Sequence, residues 1–277
     1  MATTTNELAQ LKATDAYTAA QAEQDAAAKH ATREFRIWRG ADGKGEFVQY
    51  EQDVVEGMVV LDAVHEIQAT QANDLAVRWN CKAGKCGSCS AEINGMPKLM
   101  CMTRLADLDA TKPVTIEPMR AFPHVRDLVT DVSWNFRVKK GIRKFTPRAP
   151  DAPDAPDGTW RMQQQDADRV QEFRKCIECF LCQDVCHVLR DHHKHEEFIG
   201  PRYFVYNAAL EMHPLDTEDR VPDLRKEHGI GYCNITKCCT KVCPEHIHIT
   251  DNAIIPLKER VVDRFYDPVT RLLRLFS

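Results

Sequence analysis

Cysteine is the residue type with the clearest chemical potential in this 277-residue chain, which contains 12 of them. The cysteines lie in three groups whose short internal spacings are typical of metal ligands. A disulfide framework is instead typical of a short secreted chain with an export signal. Since the first residues lack the basic and apolar regions of such a signal, we expect the cysteines to bind metal in a reducing compartment.

The first group has the spacing C-x4-C-x2-C-x11-C and consists of Cys81, Cys86, Cys89 and Cys101. Its first three positions match the plant-type [2Fe–2S] spacing, in which the fourth cysteine is distant. Gly84 and Gly87 allow the loop to fold closely around a cluster, so that neighbouring N–H groups can reach its sulfurs. A four-cysteine zinc site is the alternative, but zinc sites favour paired C-x2-C units at longer separation. The spacing therefore predicts a [2Fe–2S] cluster.

The other two groups are one bacterial two-cluster ferredoxin pattern written twice. The first copy consists of Cys176, Cys179, Cys182 and Cys186, and the second of Cys233, Cys239 and Cys243. Thr236 stands at the position that matches Cys179. Because the fourth cysteine of such a run binds the other cluster, crossing predicts a [4Fe–4S] cluster on Cys176, Cys179, Cys182 and Cys243. The remaining three cysteines, Cys186, Cys233 and Cys239, are predicted to bind a [3Fe–4S] cluster. The structural alternative for both groups is a helical core of buried cysteines.

Cys238 is left over from this pattern. It neighbours Cys239, so its side chain should point elsewhere if Cys239 is a ligand. A small packed residue is the simplest interpretation. An exchange of ligand roles with Cys239, or a place in a further redox centre, is the alternative.

Two domains of different type are expected to position these groups, since 277 residues correspond to about two domains. Alternating apolar residues and turn signals predict a small mixed-sheet domain of the plant-type ferredoxin, or β-grasp, kind over residues 33–126. We predict its strands around residues 35–37, 46–50, 90–93 and 113–116, with turns at Gly43-Lys44-Gly45 and Asn94-Gly95 and a helix near residues 59–67.

The rest of the chain is predicted to comprise an extension, a connector and a helical domain. Residues 1–32 are alanine-rich, which favours a helical or frayed extension. Residues 127–159 are predicted to form a helix over 127–144 and then a spacer with repeated Ala-Pro-Asp. Residues 160–277 are predicted to form an α-helical, bacterial two-cluster ferredoxin-like domain, so the expected fold class is α+β.

Charge and hydropathy restrict the partners. The balance of 37 basic and 41 acidic residues, a formal net charge of -4, argues against nucleic acid as a partner, because such binding needs a clustered positive face. No apolar run approaches the roughly 18 residues that a membrane-spanning helix needs. We therefore expect a soluble subunit that reaches a membrane only through other subunits.

Together these motifs resemble those of the iron–sulfur subunits of succinate dehydrogenases and fumarate reductases. The resemblance runs from about Arg33 to Thr250, which is most of the chain. The segment from Glu197 to Pro201 looks like the fumarate reductase versions. The most specific motifs are those of residues 81–89, 126–131, 176–179 and 242–244.

The resemblance implies a flavoprotein partner that oxidises succinate to fumarate on its FAD. Electrons would then pass singly through the [2Fe–2S], [4Fe–4S] and [3Fe–4S] clusters to quinone at membrane anchor subunits. The expected location is peripheral, at the cytoplasmic face of the plasma membrane, and this chain would contribute no catalytic residue. The alternatives are the equivalent subunit of a quinol:fumarate reductase or of another flavoprotein dehydrogenase, and a freestanding ferredoxin-like carrier.

The chain departs from the family pattern on the expected quinone side. His187 replaces a proline, Asp191 stands near the position of a quinone-contacting tryptophan, and Asn234 replaces a histidine. The usual quinone contacts are therefore not carried over. Four histidines near Cys186 either form a solvated loop or help to deliver protons to quinone, since histidine titrates near neutral pH; they are His187, His192, His193 and His195.

Overall fold

The computed structural model describes residues 31–148 and 159–268. A sheet domain precedes a helical domain, and this order confirms the expected α+β fold class. Nearly all of the predicted extension and most of the proline-containing spacer lie outside the described residues. Ala31 and Thr32 already belong to the first strand, so the sheet begins two residues before the predicted boundary.

The sheet has seven strands in the described part of the chain, in the order β4-β3-β5-β1-β6-β7, with β2 also paired to β1. Phe35 and Ile37 of the first strand are fully buried in a core that also contains the apolar residues of the first helix. The elements are β1 (Ala31–Ala41), β2 (Lys44–Val54), α1 (Val60–Thr70), β3 (Ser90–Ile93), β4 (Met96–Leu99), β5 (Val114–Glu117), β6 (His124–Arg126) and β7 (Val129–Thr130).

Two-residue turns set the strand pairing in the β1–β2 and β3–β4 hairpins. Asn94 and Gly95, with φ of 50° and 73°, connect β3 to β4 as predicted. Asp42 and Gly43, with φ of 52° and 76°, connect β1 to β2 one residue earlier than predicted. Positive φ at both central residues matches the twist of the flanking strands, which is why Asn-Gly and Asp-Gly favour such turns.

A buried carboxylate ties the sheet to the connector. Asp127 is 2% exposed and accepts hydrogen bonds from the backbone N–H groups of Gly40 and Ala76 and from Arg39 Nε, at 2.8–3.1 Å. These donors compensate the cost of burying its charge. Because the backbone turns at Asp127 (φ 47°) and enters β7, the predicted helix over 127–144 is wrong at its start. Helix α2 spans only Ser133–Gly141.

The helical domain is built from short helices around a core that contains Cys182, Cys186 and Cys239. No helix among the described residues is long and apolar enough to cross a membrane. The helices are α3 (Gln164–Gln171), α4 (Leu181–Asp184), α5 (His187–Arg190), α6 (Pro201–Glu211), α7 (Val221–Lys226), α8 (Cys238–Lys241) and α9 (Ile255–Phe265), with a π-helical segment (Ile249–Ile254) directly before α9.

Apolar and ionic contacts join the two domains. Cys179 and Leu181 of the helical domain belong to the core of the sheet domain. Glu92 of β3 is fully buried and accepts hydrogen bonds from Arg120 at 2.6 Å and from Arg190 of α5 at 3.1 Å. Removing a partner from a buried carboxylate is costly, so the contact with Arg190 stabilises the packing of the helical domain on the sheet domain.

Candidate iron–sulfur sites

The loop before β3 carries the first three cysteines, and the fourth follows β4. The backbone of this loop is folded so that amide groups point at sulfur. The N–H groups of Ala83 and Lys85 donate to Cys81 Sγ at 3.3 and 3.4 Å. The N–H of Cys81 donates to Cys86 Sγ at 3.4 Å. Hydrogen bonds of this kind stabilise thiolate ligands, so the loop suits the predicted [2Fe–2S] cluster.

The thiols of this loop have contrasting environments. Burial acts against ionisation of Cys86, but hydrogen bonds from Ser88 and Cys81 lower its pKa to about 6. Burial raises the pKa of Cys89 to about 12. A thiol with so high a pKa becomes a thiolate at neutral pH only beside a cation such as iron. The donor set therefore fits a metal group.

A second group of four cysteines lines one cavity; the four are Cys176, Cys179, Cys182 and Cys243. Burial raises the pKa of Cys179 to about 12 and that of Cys182 well above its ordinary value. A single zinc ion draws four ligands to 2.3 Å from one centre. Among the described residues no three such ligands converge closely enough to hold a single ion, so these four thiols fit a group of several atoms instead.

A third cavity is lined by Cys186, Cys233 and Cys239. Burial raises the pKa of Cys186 to about 12 and that of Cys239 to about 11. Cys238 and Thr236 line the same cavity. The cysteines thus separate into the two sets that crossing produces, while their identity as ligands stays a prediction.

The backbone repeats between the two copies of the cysteine pattern. Glu178 and Phe180, two and four residues after Cys176, have φ of 55° and 62°. Ile235 and Lys237, at the matching places after Cys233, both have φ of 60°. Non-glycine residues with positive φ are uncommon. Their recurrence, followed in each copy by the short helices α4 and α8, confirms the internal repeat and places Thr236 where the first copy has Cys179.

The first cysteine loop lies directly against the second cavity. Gly87 has φ of 68°, and a Cβ placed on it would lie 2.5 Å from Cys179 Cα. The Ser90 hydroxyl lies 2.8 Å from the backbone carbonyl oxygens of both Gly87 and Cys179. Only glycine permits this approach. The sequence contained no signal for the contact apart from the glycine itself.

A buried charge network lies beside the second cavity and was missed from the sequence. Arg202 of α6 is 6% exposed and lines the cavity. Its guanidinium donates to Glu178 Oε1 at 2.6 Å, and Lys139 of α2 donates to the same oxygen. Since Arg202 and Lys139 lie far from the cysteines in sequence, no local motif could identify them.

The four histidines near Cys186 do not form one surface. His187 lines the third cavity, and its ring centroid is 6.1 Å from that of His192. His193 lines a separate cleft against the sheet domain. His195 hydrogen-bonds a backbone carbonyl at 2.8 Å and packs its ring on Trp134. Only His187 and His192 therefore lie together near the third cavity.

Comparisons with known proteins match both cysteine-containing regions. A model of a 2Fe-2S iron-sulfur cluster binding domain matches residues 34–137, and a model of a 4Fe-4S dicluster domain matches residues 172–247.

Similar proteins are found in several bacteria. The fumarate reductase iron-sulfur subunit of Mycobacterium tuberculosis is 33% identical over 203 residues, covering 73% of this chain and 80% of that protein. The Escherichia coli O6:H1 counterpart is 31% identical, covering 68% and 75%. In a structure of the Mycobacterium smegmatis Sdh1 complex in the apo form, a chain 60% identical superimposes with a TM-score of 0.83, covering 87% of this chain and 99% of that chain. The chain therefore belongs to the iron–sulfur subunits of the succinate dehydrogenase and fumarate reductase family.

Proposed function

We propose that this chain is the electron-relay subunit of a succinate dehydrogenase. The observation that carries the proposal is the continuity of the cysteine sites. The first loop packs on Cys179 through Gly87. Cys182 of the second cavity lies close to Cys239 of the third: burial is the main cause of the raised pKa of Cys182, and repulsion from Cys239 adds to it. The 60% identity to a chain of the Sdh1 complex favours a succinate dehydrogenase.

The cysteines would hold the cofactors. Cys81, Cys86, Cys89 and Cys101 would bind [2Fe–2S]; Cys176, Cys179, Cys182 and Cys243 would bind [4Fe–4S]; Cys186, Cys233 and Cys239 would bind [3Fe–4S]. When bound, these clusters supply reversible one-electron chemistry between the FAD of a flavoprotein subunit and quinone. The chain contributes ligation, backbone hydrogen bonds to sulfur and exclusion of water, which together set the potentials.

Exposed side chains support an arrangement within the complex. Cys81 is exposed, so the first loop would face the flavoprotein subunit. Tyr232 and Ile235, beside Cys233 at the third cavity, are 47% and 39% exposed. Exposed apolar side chains are suited to a protein interface, so this end would face the membrane anchor subunits, at the cytoplasmic face of the plasma membrane.

Electron paramagnetic resonance of the complex purified from its native membranes tests the proposal. Adding succinate should make the oxidised three-iron signal fade and a reduced [2Fe–2S] signal appear, because electrons reach both sites through the same chain. If the signals of the clusters do not change when succinate is added, the substrate assignment is overturned. A complex with no three-iron signal under any oxidising condition would overturn the assignment of Cys186, Cys233 and Cys239.

The proposed proton-delivering role on the quinone side is restricted to His187 and His192, which lie together near the third cavity. Replacing both with Gln should slow quinone reduction several-fold and leave reduction of an artificial dye unchanged, since the imidazoles would supply protons only to quinone. His193→Gln is the matched control, because His193 lies in a different cleft. If quinone reduction and dye reduction change equally in the double variant, the proton-delivering role is contradicted.

The relatives named fumarate reductase favour a second candidate, a quinol:fumarate reductase. The two candidates differ in the direction for which the complex is tuned. Initial rates of succinate oxidation with quinone and of fumarate reduction with quinol, measured on the same preparation, separate them. A faster fumarate reaction would replace the first candidate with the second.

A further inference from the structure

The third cavity contains a thiol that the three-iron assignment does not use. Cys238, the first residue of α8, is partly buried and lines the cavity together with Cys186, Cys233 and Cys239. Its Sγ lies 3.3 Å from Thr236 Oγ1. Thr236 occupies the place of Cys179, so the Cys238 thiol lies beside the position where the first copy of the repeat has its remaining ligand.

The electrostatics also place Cys238 within this group of thiols. Burial is the main cause of the raised pKa at Cys186, Cys233 and Cys239, and repulsion from Cys238 adds to it at each of the three. Four thiols thus surround one space, as they do in the second cavity.

We propose that Cys238 is a fourth ligand held in reserve, so that the third site accepts one more iron and becomes a four-iron site. The inference rests on the proposed three-iron assignment and extends it. With four thiols at the site, the additional iron has its own thiolate ligand. With three thiols, that iron would take its ligand from solvent or from the Thr236 hydroxyl. Thr236 is exposed, which gives ferrous iron a short path to the cavity.

The conversion balances without an unnamed reactant. A one-electron reductant, either dithionite or the reduced flavoprotein, first brings the oxidised three-iron core to its neutral state. Fe²⁺ then enters, the Cys238 thiol loses its proton to solvent and the Sγ–Fe bond forms. No further electron is needed, and the resulting four-iron core carries the two positive charges of the added ion. Ligand deprotonation on metal binding makes the step favoured at higher pH.

The test uses the intact complex. It is reduced with dithionite, incubated anaerobically with Fe²⁺, freed of unbound iron and reoxidised mildly. In the wild type, the three-iron resonance should be lost and iron content should rise by one atom per chain. Cys238→Ser and Cys238→Ala should keep the resonance and gain no iron. Thr236→Ser, which keeps the hydroxyl beside Cys238, is the matched control and should behave like the wild type.

The outcomes separate this inference from the proposed function. Equal iron uptake in Cys238→Ala, or none in the wild type, overturns it while the three-iron assignment stands. Absence of the resonance from every untreated sample, Cys238→Ala included, overturns the three-iron assignment itself.

Discussion

Gly87→Ala is expected to lower the free energy of unfolding by about 3 kcal/mol and to slow electron transfer between the first two cysteine sites. A non-glycine residue at φ of 68° costs about 1–3 kcal/mol. The new Cβ would also lie 2.5 Å from Cys179 Cα, and relieving such overpacking costs about 1–3 kcal/mol more. Because the neighbour is backbone, the first loop must move away from Cys179.

Gly95→Ala is the matched control for this variant. Gly95 has a similar φ of 73°, but an added Cβ there would meet nothing within 4 Å. The control should cost about 1 kcal/mol and leave electron transfer unchanged. Rapid-freeze resonance spectra after mixing with succinate measure the transfer step, since the reduced [2Fe–2S] signal should accumulate in Gly87→Ala while the three-iron signal persists. Indistinguishable kinetics in the two variants would contradict the role of the contact.

Arg202→Met is expected to lower the reduction potential of the second cysteine site by roughly 90 mV. Reduction adds negative charge inside the cavity that the buried guanidinium lines, so Arg202 stabilises the reduced form. Two unit charges roughly 8 Å apart at an effective dielectric of about 20 interact by about 2 kcal/mol. For one electron this corresponds to about 90 mV. Redox titration followed by resonance spectroscopy measures the shift.

Two companion variants fix the sign of this effect. Arg202→Lys keeps the charge and should retain most of the potential, although it loses the forked contact with Glu178. Glu178→Gln removes the nearby negative charge and should raise the reduction potential instead, because the positive charges of Arg202 and Lys139 are then no longer partly neutralised by Glu178. A fall in potential in Glu178→Gln, or no change in Arg202→Met, would mean that the network only supports the fold.

Local sequence features predicted much of the structure because each has a local physical cause. Asn94-Gly95 forms its turn since both residues tolerate positive φ, and the repeated spacing of Cys176 and Cys233 carries a repeated backbone. The helix predicted to begin at Asp127 does not begin there, and the reason is non-local. The Asp127 carboxylate binds Gly40 and Ala76, far away in the chain, and the backbone there cannot continue as a helix.

The features missed at the sites depend on tertiary packing. The direction of the Cys238 side chain follows from where α8 begins, which spacing alone does not give. The approach of Gly87 to Cys179 exists only once two domains have docked. The sequence left His195 either in a solvated loop or in a proton-delivering group, and it did not indicate that the ring packs on Trp134 from the connector. In each case the partner lies in a different part of the chain.

The second cavity takes three cysteines from one copy of the repeat and the fourth, Cys243, from the other. During synthesis the ribosome must therefore release nearly the whole helical domain before this site has all its thiols. Closing so long a loop costs conformational entropy, and metal binding is a source of folding free energy that can offset this cost. Insertion of a cluster at this site would consequently be a late event in biogenesis, because a nascent chain that ends before Cys243 lacks the fourth thiol of the second cavity.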